Sequence, residues 1–135
     1  MPERENGEPV VLVVDDFEDT RAVMRRMLEL NGCRVIEAAD GEQAIELARA
    51  ETPDLILMDL NMPVLDGFNA TLRIREYEPT RDTPVVAVTA YDTSEFRAAA
   101  SAVGCSDYVT KPLDIERVSR LLNKLLPQRG GVAAD

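Results

Sequence analysis

Apolar and polar positions along this chain fall into two alternating kinds of block. Short runs dominated by Val, Ile, Leu and Ala occupy residues 10–14, 34–38, 55–58 and 85–88, with a shorter one at 106–109. Runs of that length and composition read as strands buried on both faces. Between them, apolar residues recur at helical spacing. Val23, Met24, Met27, Leu28 and Leu30 mark a helix over 18–30 that Asn31-Gly32 stops. A second helix is predicted over 41–51 with Asp40 as N-cap, a third from 66 or 67 to 77, and a fourth over 96–103 stopped by Gly104. A last helix, capped by Asp114, carries the stripe Ile115, Val118, Leu121, Leu122 and Leu125.

Five strand-helix units with short connections call for a parallel sheet covered by helices on both faces, and right-handed crossovers make it a doubly wound α/β fold. The 135 residues suit one domain, which at that size buries about two-thirds of the surface its unfolded chain exposes. Residues 10–126 form that domain, and the polar segments 1–9 and 127–135 are expected to be flexible. In such sheets ligands bind beyond the carboxyl ends of the strands where strand order reverses. The flavodoxin-like order 2-1-3-4-5, with five helices, sets the first and third strands side by side there, joining Asp15 and Asp16 to Asp59.

Charge narrows the chemistry. A formal net charge of −10 argues against direct binding of nucleic acid, which needs clustered Lys and Arg. The chain contains no histidine, which excludes Ser-His-Asp and Cys-His nucleophile pairs and every histidine-ligated metal site. Cys33 and Cys105 have neither metal-site spacing nor the density of a disulfide scaffold, so a reducing compartment is expected. The acidic N-terminal stretch does not resemble a signal peptide, and no apolar run reaches membrane-spanning length. A soluble cytoplasmic protein without membrane insertion follows as the expectation.

Three carboxylates close together repel unless a cation or shared proton offsets them. Oxygen-only ligands suit Mg²⁺, which accepts one or two carboxylates together with phosphate oxygens and water. Two other strand ends bring Thr89, a hydroxyl donor, and Lys111, a compact positive charge, to the same rim. Taken singly, each has a plain explanation: Asp15-Asp16 as a turn or helix cap, Thr89 as the end of a strand, Lys111 as a solvated charge. Together they describe an anion beside a metal. An ionised Asp59 could attack phosphorus while the metal, Lys111 and Thr89 hold the equatorial oxygens. Backbone amides after Asp59 could add donors.

VVLVVDD, LILMDLNMPVLDG, VVAVTA and YVTKP, in this order and at strand ends, resemble the receiver domains of two-component response regulators over about residues 10–126. The resemblance implies that Asp59 is the phosphoacceptor, that Asp15 and Asp16 are the acidic pair for Mg²⁺, and that the Asn61 backbone carbonyl is a further metal ligand. It implies that Lys111 binds the phosphoryl group, that Lys111-Pro112 is a cis peptide bond, and that Thr89 is a switch hydroxyl coupled to Tyr108. Tyr91 and Asn61 match positions that tune phosphoryl lifetime; Tyr91 is expected to screen attacking water, or else to contact a partner. The face made by helix four, strand five and helix five is implied as the output surface.

The resemblance implies a phosphoacceptor switch with self-catalysed phosphorylation and slow autodephosphorylation, and not an enzyme acting on other molecules. A haloacid-dehalogenase-like phosphatase would want a second acidic residue two positions after the first, and a cap domain. A flavodoxin would not place carboxylates where a cofactor phosphate sits. A pseudo-receiver would lack one of the acceptor, acidic-pair or lysine residues, and none is missing. With no histidine, the chain is expected to receive its phosphoryl group in trans, and the resemblance implies a histidine kinase or a histidine phosphotransfer protein as the donor. No output segment is expected after helix five, so a downstream protein, unidentified, is either docked or given the phosphoryl group. Oligomeric state stays open, since the alanine-rich fourth helix shows no clear charged pattern for dimerisation.

Overall fold

The structure is a computed structural model that describes residues 7–60, 62 and 66–126. The expected flexible segments therefore lie outside the described residues, apart from residues 7–9. In chain order the elements are β1 (Val10–Val14), α1 (Glu18–Leu30), β2 (Arg34–Ala38), α2 (Gly41–Glu51), β3 (Leu55–Asp59), α3 (Gly67–Glu76), β4 (Val85–Thr89), α4 (Ser94–Ala102), β5 (Asp107–Thr110) and α5 (Ile115–Leu125). All pairings are parallel and the strand order is β2-β1-β3-β4-β5, the expected doubly wound arrangement.

Because side chains alternate across a strand, each strand feeds two separate cores. Leu12, Val14, Ile56, Met58, Val85 and Ala87 pack on one face with residues of α2, α3 and α4. Val11, Val13, Leu55, Leu57, Val86 and Val88 pack on the other with residues of α1 and α5. Central strands that bury both faces leave no polar alternation to read, as in β1, β3 and β4.

Helix starts follow their caps. The Asp40, Asp66, Thr93 and Asp114 side chains each accept a hydrogen bond from the backbone N–H three residues on. Thr93 explains why α4 begins at Ser94 rather than at residue 96. A 3₁₀ turn at Glu78–Thr80 follows α3, with Pro79 inside it, and the helix stops at Glu76 instead of residue 77. β3 and β4 each run one residue further than expected and include Asp59 and Thr89, and β5 is shifted by one residue.

Leu122 is almost wholly buried between α5 and the sheet, whereas Ile115 in the first turn of that helix is 45% exposed. Leu122→Ala should cost about 2–5 kcal/mol in urea unfolding. Ile115→Ala should stay within about 0.5 kcal/mol of wild type, as surface changes do.

Candidate metal and anion site

Parallel register builds the site. Val14 pairs with Met58 across β1 and β3, so Asp15 and Asp59, each one residue further, reach the rim at the same level. Asp59 pairs with Val88 of β4, and Thr89 follows it. Thr89 pairs with Thr110 of β5, and Lys111 comes next, its backbone N–H donating to the Thr89 carbonyl at 2.8 Å. The four strand ends singled out from the sequence therefore do meet at one edge of the sheet.

Carboxylate oxygens of Asp15, Asp16 and Asp59 lie within 4.8 Å of one another. Asp15 and Asp59 are buried and Asp16 is exposed, so the cluster opens to solvent on one side only. Lys111 Nζ donates to Asp15 Oδ2 at 2.9 Å and to Asp59 Oδ2 at 3.5 Å. Burial pulls the pKa of the Lys111 ammonium down. The hydrogen bond to Asp15 and the charge of Asp59 outweigh that and leave it raised. The sign follows from linkage: the stability contributed by the charged lysine is fully present below its unfolded pKa and is lost only as pH climbs through the folded one. Lys111 thus stays charged at neutral pH. An open pocket of about 270 Å³ is lined by Asp15, Asp16, Phe17, Thr20, Asp59, Ala90 and Lys111. Oxygen donors alone, without His or Cys, fit a hard divalent cation such as Mg²⁺.

The Lys111-Pro112 peptide bond is cis. Thr89 is buried, and its hydroxyl accepts the Tyr91 N–H at 3.1 Å. Tyr108 is also buried, and its hydroxyl donates to the Tyr91 carbonyl. The Arg97 guanidinium lies over the Tyr108 ring, 4.6 Å from its centroid, and Arg97 Nε pairs with Asp92 at 2.7 Å. Tyr91 is thus gripped through its backbone from both sides, while its ring stacks on Phe96 and is not among the residues lining the pocket. Asn61 lies outside the described residues.

Supporting residues were harder to foresee. Arg21, one turn into α1, donates to the Asp15 carbonyl at 2.8 Å and pairs with Glu37 of β2 at 3.1 Å, fixing the strand end that carries the acidic pair. The charged Glu37 inside an otherwise apolar strand segment was the available signal. Gly67 is required by contact: a Cβ there would stand 2.3 Å from the Asp59 carbonyl oxygen and 2.8 Å from Leu60 Cα. Phe17, Thr20 and Ala90 line the pocket simply by following the strand ends.

A family model for the response regulator receiver domain matches residues 11–123. The chain belongs to that family of two-component signalling proteins. Protein PilH of Pseudomonas aeruginosa is 37% identical over 116 residues, which are 86% of this chain and 96% of PilH. The structure of the Vibrio cholerae chemotaxis protein CheY4 superposes with a TM-score of 0.85 at 31% identity, covering 89% of this chain and all of that one. The receiver domain of the Pseudomonas aeruginosa sensor histidine kinase PA1611, described with a magnesium ion in its active-site cleft, gives 0.83 at 36% identity and covers 88% of this chain and 98% of its own. The chain spans about half the length, 54%, of the mycobacterial transcriptional regulatory proteins PrrA that it also matches.

Since the Gly67 contact is with backbone, which cannot swing aside, Gly67→Ala must displace the start of α3 from the end of β3. A loss of about 1–3 kcal/mol is expected, the usual cost of overpacking, measured as a lower urea midpoint.

Proposed function

We propose that this receiver domain accepts a phosphoryl group on Asp59 in a Mg²⁺-dependent reaction, and that the modified state is read by a partner protein. The observation that carries this reading is the placement of the Lys111 ammonium against Asp15 and Asp59 inside a cluster of three carboxylates.

A buried carboxylate at a strand end, held with its neighbours in fixed register, meets an incoming phosphorus without having to be reoriented. One Asp59 oxygen attacks phosphorus. The bond from phosphorus to the donor nitrogen breaks, its electron pair returns to the donor imidazole, and Asp59 becomes an acyl phosphate. The Lys111 ammonium, already held at the pocket, can then move its charge from Asp59 toward a phosphoryl oxygen, while Thr89, turning from the Tyr91 N–H, donates its hydroxyl to another. Asp15 and Asp16, with Asp59 and the Asn61 carbonyl, would hold Mg²⁺, which supplies positive charge against the equatorial oxygens. Water attacking phosphorus later restores the carboxylate and releases inorganic phosphate. The protein acts on itself, and no turnover of an outside substrate is part of this reading.

On this reading the donor is a phosphohistidine of a histidine kinase or phosphotransfer protein, the donor class of the receiver family, and the sequence itself contains no histidine to serve. When Thr89 turns, the Tyr91 N–H loses its acceptor, and Tyr108, bonded to the Tyr91 carbonyl, is the next group affected. That couples the site to α4, β5 and α5, the surface offered to a partner by a shift in a pre-existing equilibrium. The reading includes a cytoplasmic location, as expected from the sequence. Among the described residues no helix is long and apolar enough to cross a membrane.

Labelling with a small phosphodonor such as acetyl phosphate tests the chemistry. Loss of label in Asp59→Asn, and dependence of wild-type labelling on Mg²⁺, are expected; label retained in the mutant would sink the Asp59 assignment. Mg²⁺ should also raise the unfolding free energy by about 2.7 kcal/mol at a hundred times its Kd. Asp16→Asn should weaken that response, and an unchanged response would remove Asp16 from the metal set.

A further inference from the structure

Three aromatic rings form a stack beside the site. Tyr91 and Phe96 lie 5.2 Å apart between centroids and 9° from parallel, and Phe96 and Phe68 lie 5.8 Å apart at 26°. Phe96 is in the first turn of α4, where its own N–H donates to the capping Thr93 hydroxyl at 3.1 Å. Phe68 is in the first turn of α3, next to Gly67, whose Cα packs on the Asp59 backbone. Two rings on pinned helix starts therefore hold a third that sits in a loop. Tyr91 is 47% exposed, and the β4 side of the pocket is bounded by Ala90, which has only a methyl group to offer.

We propose that Phe96 is a positioning residue which keeps the Tyr91 ring off the phosphoryl pocket, so that phosphoryl lifetime is set by whether this stack is made. The inference rests on the reading of Asp59 as phosphoacceptor and of Tyr91 as a screen against water. Stacked on Phe96, the ring leaves the mouth open at Ala90 and water reaches phosphorus. Released, it turns about its Cα–Cβ bond over Ala90 and covers the mouth. Offset stacking of this kind shifts such an equilibrium by roughly two- to tenfold. Anything that moves the first turn of α4 away from Tyr91, a bound partner included, then lengthens the life of the signal.

The prediction has an unusual sign, because two residues in contact should act in opposite directions. Decay of the labelled protein in Mg²⁺ should be roughly two- to tenfold slower in Phe96→Ala, and equally slowed in Phe96→Leu, which keeps apolar bulk without a ring and guards against a folding failure. Phe96→Tyr should restore the wild-type half-life. Tyr91→Ala should decay faster than wild type, and Phe96→Ala in that background should change nothing further. Faster or unchanged decay in both Phe96→Ala and Phe96→Leu overturns the proposal, since loosening a merely structural contact would admit water. So would a persistent effect of Phe96→Ala when Tyr91 is already alanine. A wild-type protein that takes no label overturns the phosphoacceptor reading and this inference with it, whereas normal labelling with unaltered half-lives overturns this inference alone.

Discussion

Three carboxylates within hydrogen-bonding distance of a common point are the constraint that the rest of this molecule is arranged around. At 4 Å two unit charges interact by about 4 kcal/mol at an effective dielectric of 20, a sizeable fraction of the stability of a whole domain. Asp15 and Asp59 are also buried, so water screens them poorly. Lys111 offsets part of this repulsion from a single nitrogen that touches both. One cation facing three anions leaves net negative charge, which is the condition for binding a divalent metal, and with the metal an anionic group.

Holding such a cluster needs stiffness elsewhere. The central strands β1, β3 and β4 behind it are almost entirely Val, Leu, Ile, Met and Ala up to their ends and buried on both faces, so none of them can slip by one residue without turning its whole set of side chains to the opposite core. Arg21 ties the backbone at Asp15 to β2 through Glu37, and the Gly67 backbone presses on that of Asp59. Among the described residues, no buried side-chain polar atom lacks a partner. The electrostatic tension is thereby confined to the rim.

Most of this was legible in the chain itself. Uninterrupted apolar runs announced the central strands, and Asp40 and Asp114 announced helix starts, because these signals act locally. The site was legible because Asp15, Asp59, Thr89 and Lys111 are polar residues ending apolar runs, and parallel topology must bring such ends together. What escaped was contact across distance. Arg21 reaching the Asp15 carbonyl and Glu37, and the stacked rings of Tyr91, Phe96 and Phe68, depend on how separate elements settle against each other, whereas Thr93 capping α4 is a local signal of the same kind as Asp40 that went unread. The Tyr91 ring is the clearest instance. Spacing put it beside Thr89, but only packing shows that it leans on α4 instead of lining the pocket.

Thr89 and Lys111 stand next to each other at the rim, yet the chain after each goes to a different side of the sheet. From Thr89 it enters α4, which packs with α2 and α3 on one core; from Lys111 it enters α5, which packs with α1 on the other. The two cores are insulated by a full layer of strand backbone and share few side chains through which a displacement could pass. The rim is therefore a mechanical junction: on the proposed chemistry, a single small anion gripped by both groups would pull on two hydrophobic bodies at once, and the geometry of one bond-forming event would become a difference in posture between opposite faces of the molecule.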